Sequence, residues 1–146
     1  MEATFRRILL SVESTEGAQR AARLAIALAE RDKAHLLALN VVDPSLIDRL
    51  ARLTGRRTSE VEAEVEEDGW KYLYYVEGMA VEREVAISLR QERGLPEDVL
   101  VRQAKALQVD LLVLGLPGSR PGARRLMQLS LEKVLYESPC PVLVVR

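Results

Sequence analysis

The chain is poor in the residues from which many catalytic and metal sites are built. Its 146 residues include one cysteine, Cys140, and one histidine, His35. A lone cysteine excludes an internal disulfide and a cysteine-based zinc cluster. A lone histidine excludes the paired histidines that adenylyl-transfer chemistry often uses, and no Walker-A or G-x-G-x-x-G spacing is present. We therefore expect His35 to lie on the surface and Cys140 to be an unreactive buried or edge residue.

An excess of charge of one sign and long apolar runs are also missing. The chain has 21 basic and 22 acidic residues, a net charge of −1, which leaves no overall field to attract nucleic acid or an anionic membrane. Residues 1–7 lack the apolar core of a signal peptide, and no apolar run approaches the roughly 18 residues of a membrane span. These absences predict a cytoplasmic protein that binds neither nucleic acid nor membrane. The length predicts a single domain over residues 1–146.

Short apolar runs alternate with segments of helical periodicity along the chain. Strands are predicted at residues 8–12, 36–42, 84–89, 110–114 and 142–145, and helices at residues 16–29, 59–79, 96–107 and 130–137. This order predicts an α/β fold, with a single five-stranded parallel sheet, helices on both faces and a Rossmann-like topology. Ligands of such sheets bind beyond the carboxyl ends of the strands. We therefore expect the loops after the first and fourth strands to form the walls of a crevice.

The segment between the second and third strands is harder to interpret. Residues 44–57 are predicted to be irregular or briefly helical. Ser59 and Glu62 have the spacing of a capping box for the next helix, and Gly69 is a predicted weak point within it. The aromatic side chains of this helix point around much of its circumference, so some of them are expected to face a partner subunit. These aromatic residues are Trp70, Tyr72, Tyr74 and Tyr75.

The last strand is predicted to lie at an edge of the sheet. An exposed apolar edge favours pairing with a second copy of the chain. We expect a homodimer through this strand, and an unidentified protein partner is a further hypothesis. The strand consists of Val142, Leu143, Val144 and Val145.

Three segments resemble the universal stress protein (UspA-like) family. Residues 7–15, RILLSVEST, are similar to its first strand and "V-D-x-S" turn, and residues 40–43, NVVD, to its "H-V-V-D" segment. Residues 113–146 are similar to its C-terminal signature, including the EKV at 132–134. The resemblance implies the adenine nucleotide alpha hydrolase-like fold, a dimer, and a role in stress tolerance without established catalysis. It also implies that Glu13 lies near a bound nucleoside and that Val41 occupies the position of an adenine contact.

The family's ATP-binding members carry G-x2-G-x9-G-[ST] after the fourth strand, and this chain matches half of that motif. Gly115 and Gly118 supply the first two glycines, but Gln128 and Leu129 replace the final glycine and hydroxyl residue. The EKV that follows fixes the register, so Ser130 cannot take the hydroxyl position. Backbone strain at Gln128 adds about 1 kcal/mol if positive φ is needed. The hydroxyl lost at Leu129 is worth about 1.5–3 kcal/mol, and together these weaken terminal-phosphate binding roughly 100-fold.

The sequence leaves three interpretations of function open, two of them binding modules and one an enzyme. The favoured interpretation is a non-catalytic stress-response module that does not bind ATP strongly. ATP or AMP binding through Gly115, Gly118 and the loop arginines Arg120 and Arg124 is an alternative, because guanidinium groups pair with phosphate oxygens. The third interpretation is an enzyme that hydrolyses nucleotides or transfers adenylyl groups. Two roles of single residues also stay open: Glu13 is either a ribose contact or a charge at a helix N-terminus, and Val41 either contacts a ligand or packs in the core.

Overall fold

The fold is given by a computed structural model, which describes residues 4–116 and 131–146. The bounds of its strands and helices are β1 (Arg7–Ser11), α1 (Glu16–Asp32), β2 (His35–Val42), α2 (Pro44–Thr54), α3 (Thr58–Glu82), β3 (Ile87–Arg93), α4 (Pro96–Ala106), β4 (Leu111–Gly115) and β5 (Val142–Val145). Residues 131–137 are also helical and are called α5. None of the helices in these described ranges is long and apolar enough to cross a membrane.

The predicted sheet is confirmed. All neighbouring strands pair in parallel, in the order β3-β2-β1-β4-β5. The chain moves outward from β1 to β2 and β3, and then crosses to the other side for β4 and β5. The strand order therefore reverses between β1 and β4. As expected, β5 lies at one edge of the sheet, and β3 lies at the other.

Alternate side chains of the strands pack into two cores, one on each face of the sheet. Helices α1 and α3 cover one face, where Leu10 and Leu36 are fully buried. On the other face, α4 and α5 cover a second core that includes Leu9 and Leu112. The helix α1 packs closely because all of its buried positions except Ile26 carry glycine or alanine: Gly17, Ala18, Ala21, Ala22, Ala25 and Ala29.

The segment after β2 is helical, so the briefly helical alternative is confirmed. Pro44 occupies the first turn of α2, where its missing N–H costs nothing. The carboxylate of Asp43 accepts a hydrogen bond of 2.9 Å from the backbone N–H of Ser45 and so caps the helix. Gly55 ends α2 with a φ of 63°, a left-handed conformation that glycine adopts without strain.

The prediction of a capping box at Ser59 and Glu62 is wrong. Helix α3 begins at Thr58 with Arg57 as its N-cap, and no side chain caps it. The carboxylate of Glu62 instead pairs with the guanidinium of Arg93 at the end of β3. The ion pair joins α3 to the sheet, and the spacing of the two residues in the sequence gave no sign of it.

The third strand starts three residues later than predicted. Glu84 has a φ of 57°, and the N–H of Val85 donates to the carbonyl oxygen of Ala80. Residues 84 and 85 therefore complete the C-terminal turn of α3 instead of starting a strand. The strand continues to Arg93 through polar residues that the hydrophobic pattern did not include. A polar edge strand lacks the apolar signal on which the prediction depended.

Gly69 is not a weak point of α3, which is continuous for 25 residues. A Cβ at Gly69 would overlap the side-chain amide of Asn40. That buried amide donates to the carbonyl oxygen of Val12 at 3.0 Å and accepts from Gln91 at 3.2 Å. Gln91 also donates to the carbonyl oxygen of Glu66 in α3. The missing side chain thus leaves room for an amide network that joins β1, β2, β3 and α3.

The structure also gives the burial of His35 and Cys140, for which the sequence carried predictions. His35 is half-buried instead of exposed, because its Nε2 hydrogen-bonds to the hydroxyl of Ser88 on the edge strand at 2.7 Å. Cys140 is half-buried as expected, and burial raises the pKa of its thiol. A raised pKa disfavours the reactive thiolate at neutral pH.

Candidate functional site

A crevice opens between the carboxyl ends of β1 and β4, at the point where the strand order reverses. The ends of the two strands form its floor, and the first turns of α1 and α4 lie on either side of it. Parallel α/β sheets bind ligands at this position because adjacent connections leave the sheet in opposite directions. The lining residues are Ser11, Glu13, Ala18, Pro96, Glu97, Leu100, Leu114, Gly115, Leu131 and Val134.

One wall of the crevice is a direct contact between backbones. A Cβ on Gly115 would overlap the backbone of Gly17 and Ala18, and a Cβ on Gly17 would overlap the carbonyl oxygen of Leu116. The φ of Gly115 lies outside the left-handed region. Glycine is therefore needed at 115 for close helix–strand packing and not for an unusual backbone angle.

The turn between β1 and α1 is held by hydrogen bonds on both of its sides. The hydroxyl of Thr15 accepts from the N–H of Ala18 at 3.1 Å and so caps α1. The N–H of Val12 donates to Leu39 in β2 at 2.8 Å, and the carbonyl of Val12 accepts from Asn40. Glu13 follows directly, so its backbone position is fixed by two neighbouring elements.

Glu13 is the titratable group of the crevice whose pKa the structure shifts. Its side chain is half-buried, and this burial raises the pKa of the carboxyl above its ordinary value of 4.5. A buried carboxylate gains more from a hydrogen-bond donor than an exposed one does, because its hydration has already been lost. Glu13 is thus suited to accept hydrogen bonds from hydroxyl or amino groups of a ligand.

The opposite wall is made of side chains from α4 and α5. Leu100 and Val134 are buried there, and Leu131 is half-buried. An ion pair of 2.6 Å between Lys133 of α5 and Asp98 of α4 holds the two helices together at the surface. The space between the walls is about 20 Å³, enough for a water molecule. The described side chains therefore lie too close together there for a larger ligand to enter between them.

The structure brings together two of the predicted site residues, Glu13 and Gly115, in this crevice. Val41 lies on the same face of the sheet, half-buried against the core under α4, and is not among the lining residues. The remaining predicted site residues lie outside the described residues: Gly118, Arg120, Arg124, Gln128, Leu129 and Ser130.

His35 lies far from the crevice along the sheet. It is the first residue of β2, whereas the crevice is at the carboxyl ends of the parallel strands. The only histidine of the chain is therefore at the amino-terminal ends of the strands, opposite the end that carries the candidate site. Within residues 4–116 and 131–146, no three histidine, cysteine or acidic residues are grouped to hold a metal ion.

Sequence reasoning missed the contribution of α4 and α5 to the crevice. The sequence placed Pro96 and Glu97 at a helix start, and Leu131 and Val134 in a helix that carries part of the family's C-terminal signature, but it assigned none of the four to the crevice. The signal that would have found them is the strand order, because β1 next to β4 places the N-terminus of α4 beside the end of β1. Strand order is a tertiary property, and the local patterns do not contain it.

Comparison with known proteins assigns this chain to a family. The family model described as "Universal stress protein family" matches residues 4–146. The chain belongs to the universal stress protein family. One relative, the universal stress protein MJ0531 of Methanocaldococcus jannaschii, is 30% identical over 146 residues, which cover 99% of this chain and 84% of that protein.

Solved structures of the family share the fold of this universal stress protein. UspA from Lactobacillus plantarum is 27% identical and superposes with a TM-score of 0.72, covering 99% of this chain and 100% of its own. A universal stress protein solved in complex with cAMP is 22% identical, with a TM-score of 0.71 and coverage of 99% and 98%. At that identity, the likeness to the cAMP complex establishes a shared fold.

Proposed function

We propose that this universal stress protein is a non-catalytic stress-response module that binds an adenine nucleotide in the crevice between β1 and β4. The observation that carries the proposal is the half-buried carboxyl of Glu13 at the strand end where such folds bind ligands. The family resemblance of the "V-D-x-S" turn gives Glu13 the position of the acidic residue near the nucleoside. A relative of the same fold, solved with cAMP, supports a nucleotide as the ligand class.

The preferred ligand is a monophosphate, AMP or cAMP, and ATP is bound weakly. This part rests on the sequence of the loop after β4. Gln128 brings a side chain to the place where a phosphate-binding backbone needs glycine, and Leu129 removes a hydroxyl donor. Gly118 and the loop arginines Arg120 and Arg124 remain available for a proximal phosphate.

Calorimetric titration with ATP, ADP, AMP and cAMP tests the proposal. We expect AMP or cAMP to bind and ATP to bind no more tightly, and we expect Gln128→Gly with Leu129→Ser to increase ATP affinity roughly 100-fold. Glu13→Gln should weaken all the nucleotides about tenfold, because a charge-assisted hydrogen bond is lost. Glu60→Gln, which changes an exposed carboxyl in the first turn of α3 that does not line the crevice, is the matched control and should leave the affinities unchanged. Micromolar ATP binding by the parent chain would contradict the assignment of the loop.

The proposal of a non-catalytic role is supported by the position of His35 at the amino-terminal end of β2, away from the crevice. Nucleotide hydrolysis and adenylyl transfer need groups that move protons or stabilise charge at the phosphates. We expect no ATP or AMP turnover above the rate of a buffer blank. Turnover that Glu13→Gln abolishes would overturn this part of the proposal.

We also propose a homodimer through β5. The strand pairs with β4 along one side only, and its four residues, Val142–Val145, are all half-buried. An apolar edge strand of this kind pairs readily with a second copy. Val144→Lys should dissociate the dimer in sedimentation experiments, and Leu53→Lys, at an exposed position of α2, should not. A dimer that survives Val144→Lys would contradict this interface.

A further inference from the structure

The C-terminal half of α3 exposes large apolar side chains on the outer surface of the α1–α3 layer. Tyr74 is 59% exposed, Tyr75 is 58% exposed and Val81 is 63% exposed. Their spacing places them on one side of the helix. Gly78 lies between them on the same side, and it is exposed too. The four residues form a patch in which two tyrosines and a valine surround a position without a side chain.

Gly78 has no role within the described chain that explains it. A Cβ at Gly78 would meet nothing within 4 Å, whereas a Cβ at Gly69 in the same helix would overlap Asn40. Glycine inside a helix lowers its stability relative to alanine. Gly78 therefore costs stability without serving the internal packing, and its effect on the surface is to leave a notch.

Opposite charges flank the segment from Tyr75 to Gly78 at equal spacings in the sequence. Lys71 is four residues before Tyr75, and Glu82 is four residues after Gly78. If two copies of α3 cross antiparallel with Tyr75 against Gly78 of the partner subunit, Lys71 lies against Glu82 of the partner subunit. Each offset is about 6 Å along the helix. The two-fold symmetry repeats both contacts, so the patch is complementary to itself in shape and in charge.

The present partner of Lys71 does not oppose this arrangement. Its ammonium group lies 3.8 Å from the carboxylate of Glu67 one turn earlier, and both side chains are exposed. Exposed pairs of this kind contribute little to stability, so Lys71 exchanges partners at small cost. A crossing over glycine also brings the two helix axes close together, which increases the area buried by the tyrosines.

We propose that residues 71–82 of α3 form an interface with the same residues of a second copy, in an antiparallel two-fold crossing with Tyr75 in the notch at Gly78. The interface is separate from the β5 edge and does not depend on nucleotide binding. If both interfaces form, the assembly contains more than two copies. If only α3 pairs, it is a dimer. In both cases, breaking the α3 interface lowers the assembled mass, to that of the β5 dimer if β5 also pairs and to that of the monomer if it does not.

The test is a charge exchange read by sedimentation velocity over a concentration series. Lys71→Glu and Glu82→Lys each create two like-charge contacts across the crossing, and each should weaken association about tenfold or more. The double variant, Lys71→Glu with Glu82→Lys, restores opposite charges and should restore the parent assembly. Since both residues are exposed, unfolding does not account for a loss. If the single variants associate like the parent chain, or the double variant fails to recover, the proposal is wrong.

Substitution of the notch gives a second, independent measurement. Gly78→Leu should lower the assembled mass to that of the β5 dimer or the monomer, and Ala63→Leu, at an exposed position of α3 outside the patch, should leave it unchanged. Gly78→Ala should raise the midpoint of thermal unfolding at low protein concentration and weaken association at high concentration. A loss of association together with a more stable fold distinguishes an interface from a structural defect. An unchanged assembly in Gly78→Leu would overturn the proposal.

Discussion

The two walls of the crevice are built in different ways. The wall between α1 and β4 is a contact of backbones, in which Gly17 and Gly115 leave no room for a side chain. The wall between α4 and α5 consists of apolar side chains and one exposed ion pair between Asp98 and Lys133. Backbone contacts do not yield, whereas side chains change rotamer and helices shift by an ångström or two. We infer that the first wall positions a ligand and the second wall moves to admit it.

The largest expected effect on stability comes from adding a Cβ to a glycine in the wall between α1 and β4. Gly115→Ala and Gly17→Ala each place a Cβ into backbone atoms that cannot rotate away. We expect a loss of about 3 kcal/mol or more in the free energy of unfolding for each variant. Urea denaturation measures it.

Gly78→Ala is the matched control for these substitutions, because its Cβ meets nothing. It should stabilise the fold by about 0.5–1 kcal/mol at protein concentrations too low for association. Equal effects of the three alanines would show that the backbone contact does not exist.

The next largest effect on stability is expected at the amide network of Asn40, beside the turn that carries Glu13. Gly69→Ala pushes a methyl group into the amide of Asn40, which holds the carbonyl of Val12 before Glu13. We expect a cost of about 2 kcal/mol.

Removing the amide first should reduce that cost. In the double variant Gly69→Ala with Asn40→Ala, the methyl group occupies space that the amide has left, so the two losses should not add. A double-mutant cycle by urea denaturation measures the difference. Strict additivity would argue that the two residues are not in contact.

A smaller effect concerns the pH dependence of stability. Burial raises the pKa of Glu13 above 4.5 in the folded chain, so the folded state binds more protons than the unfolded state between 4.5 and the raised value. The free energy of unfolding therefore decreases as pH rises through that window and is then level. Glu13→Gln should remove this decrease and leave the fold at least as stable as the parent at neutral pH. If the free energy of unfolding of the variant depends on pH with the same slope as that of the parent, a group other than Glu13 causes the pH dependence.

The sequence predicted the parallel sheet, the edge position of β5 and the place of the crevice, because buried strands and amphipathic helices carry strong periodic signals. It also identified Gly115, but a glycine in a motif does not reveal whether freedom of φ or a close approach requires it. At Gly115 the close approach of Gly17 requires glycine, and freedom of φ does not. Gly69 was misread for the same reason, since the amide that fills its space comes from Asn40, 29 residues earlier in the chain.

The shifted start of β3 shows a second limit of local patterns. Val85 fits the alternation of a strand, yet its backbone N–H completes the last turn of α3. The strand itself ends in the charged residues Glu92 and Arg93, which carry no hydrophobic signal. Glu92 and Arg93 belong to the sheet because they pair with β2. This pairing is a property of the three-dimensional arrangement and is not contained in the local sequence.

The proposed function depends most on the crevice being the place where a nucleoside binds. Titration of the ¹⁵N-labelled protein with AMP tests this directly by NMR. We predict that amide shift changes concentrate in the described residues around Glu13, Ala18, Glu97, Gly115 and Leu131, with Glu13→Gln reducing them. Shift changes that cluster on α2 and α3, with the residues of the crevice unaffected, would contradict it.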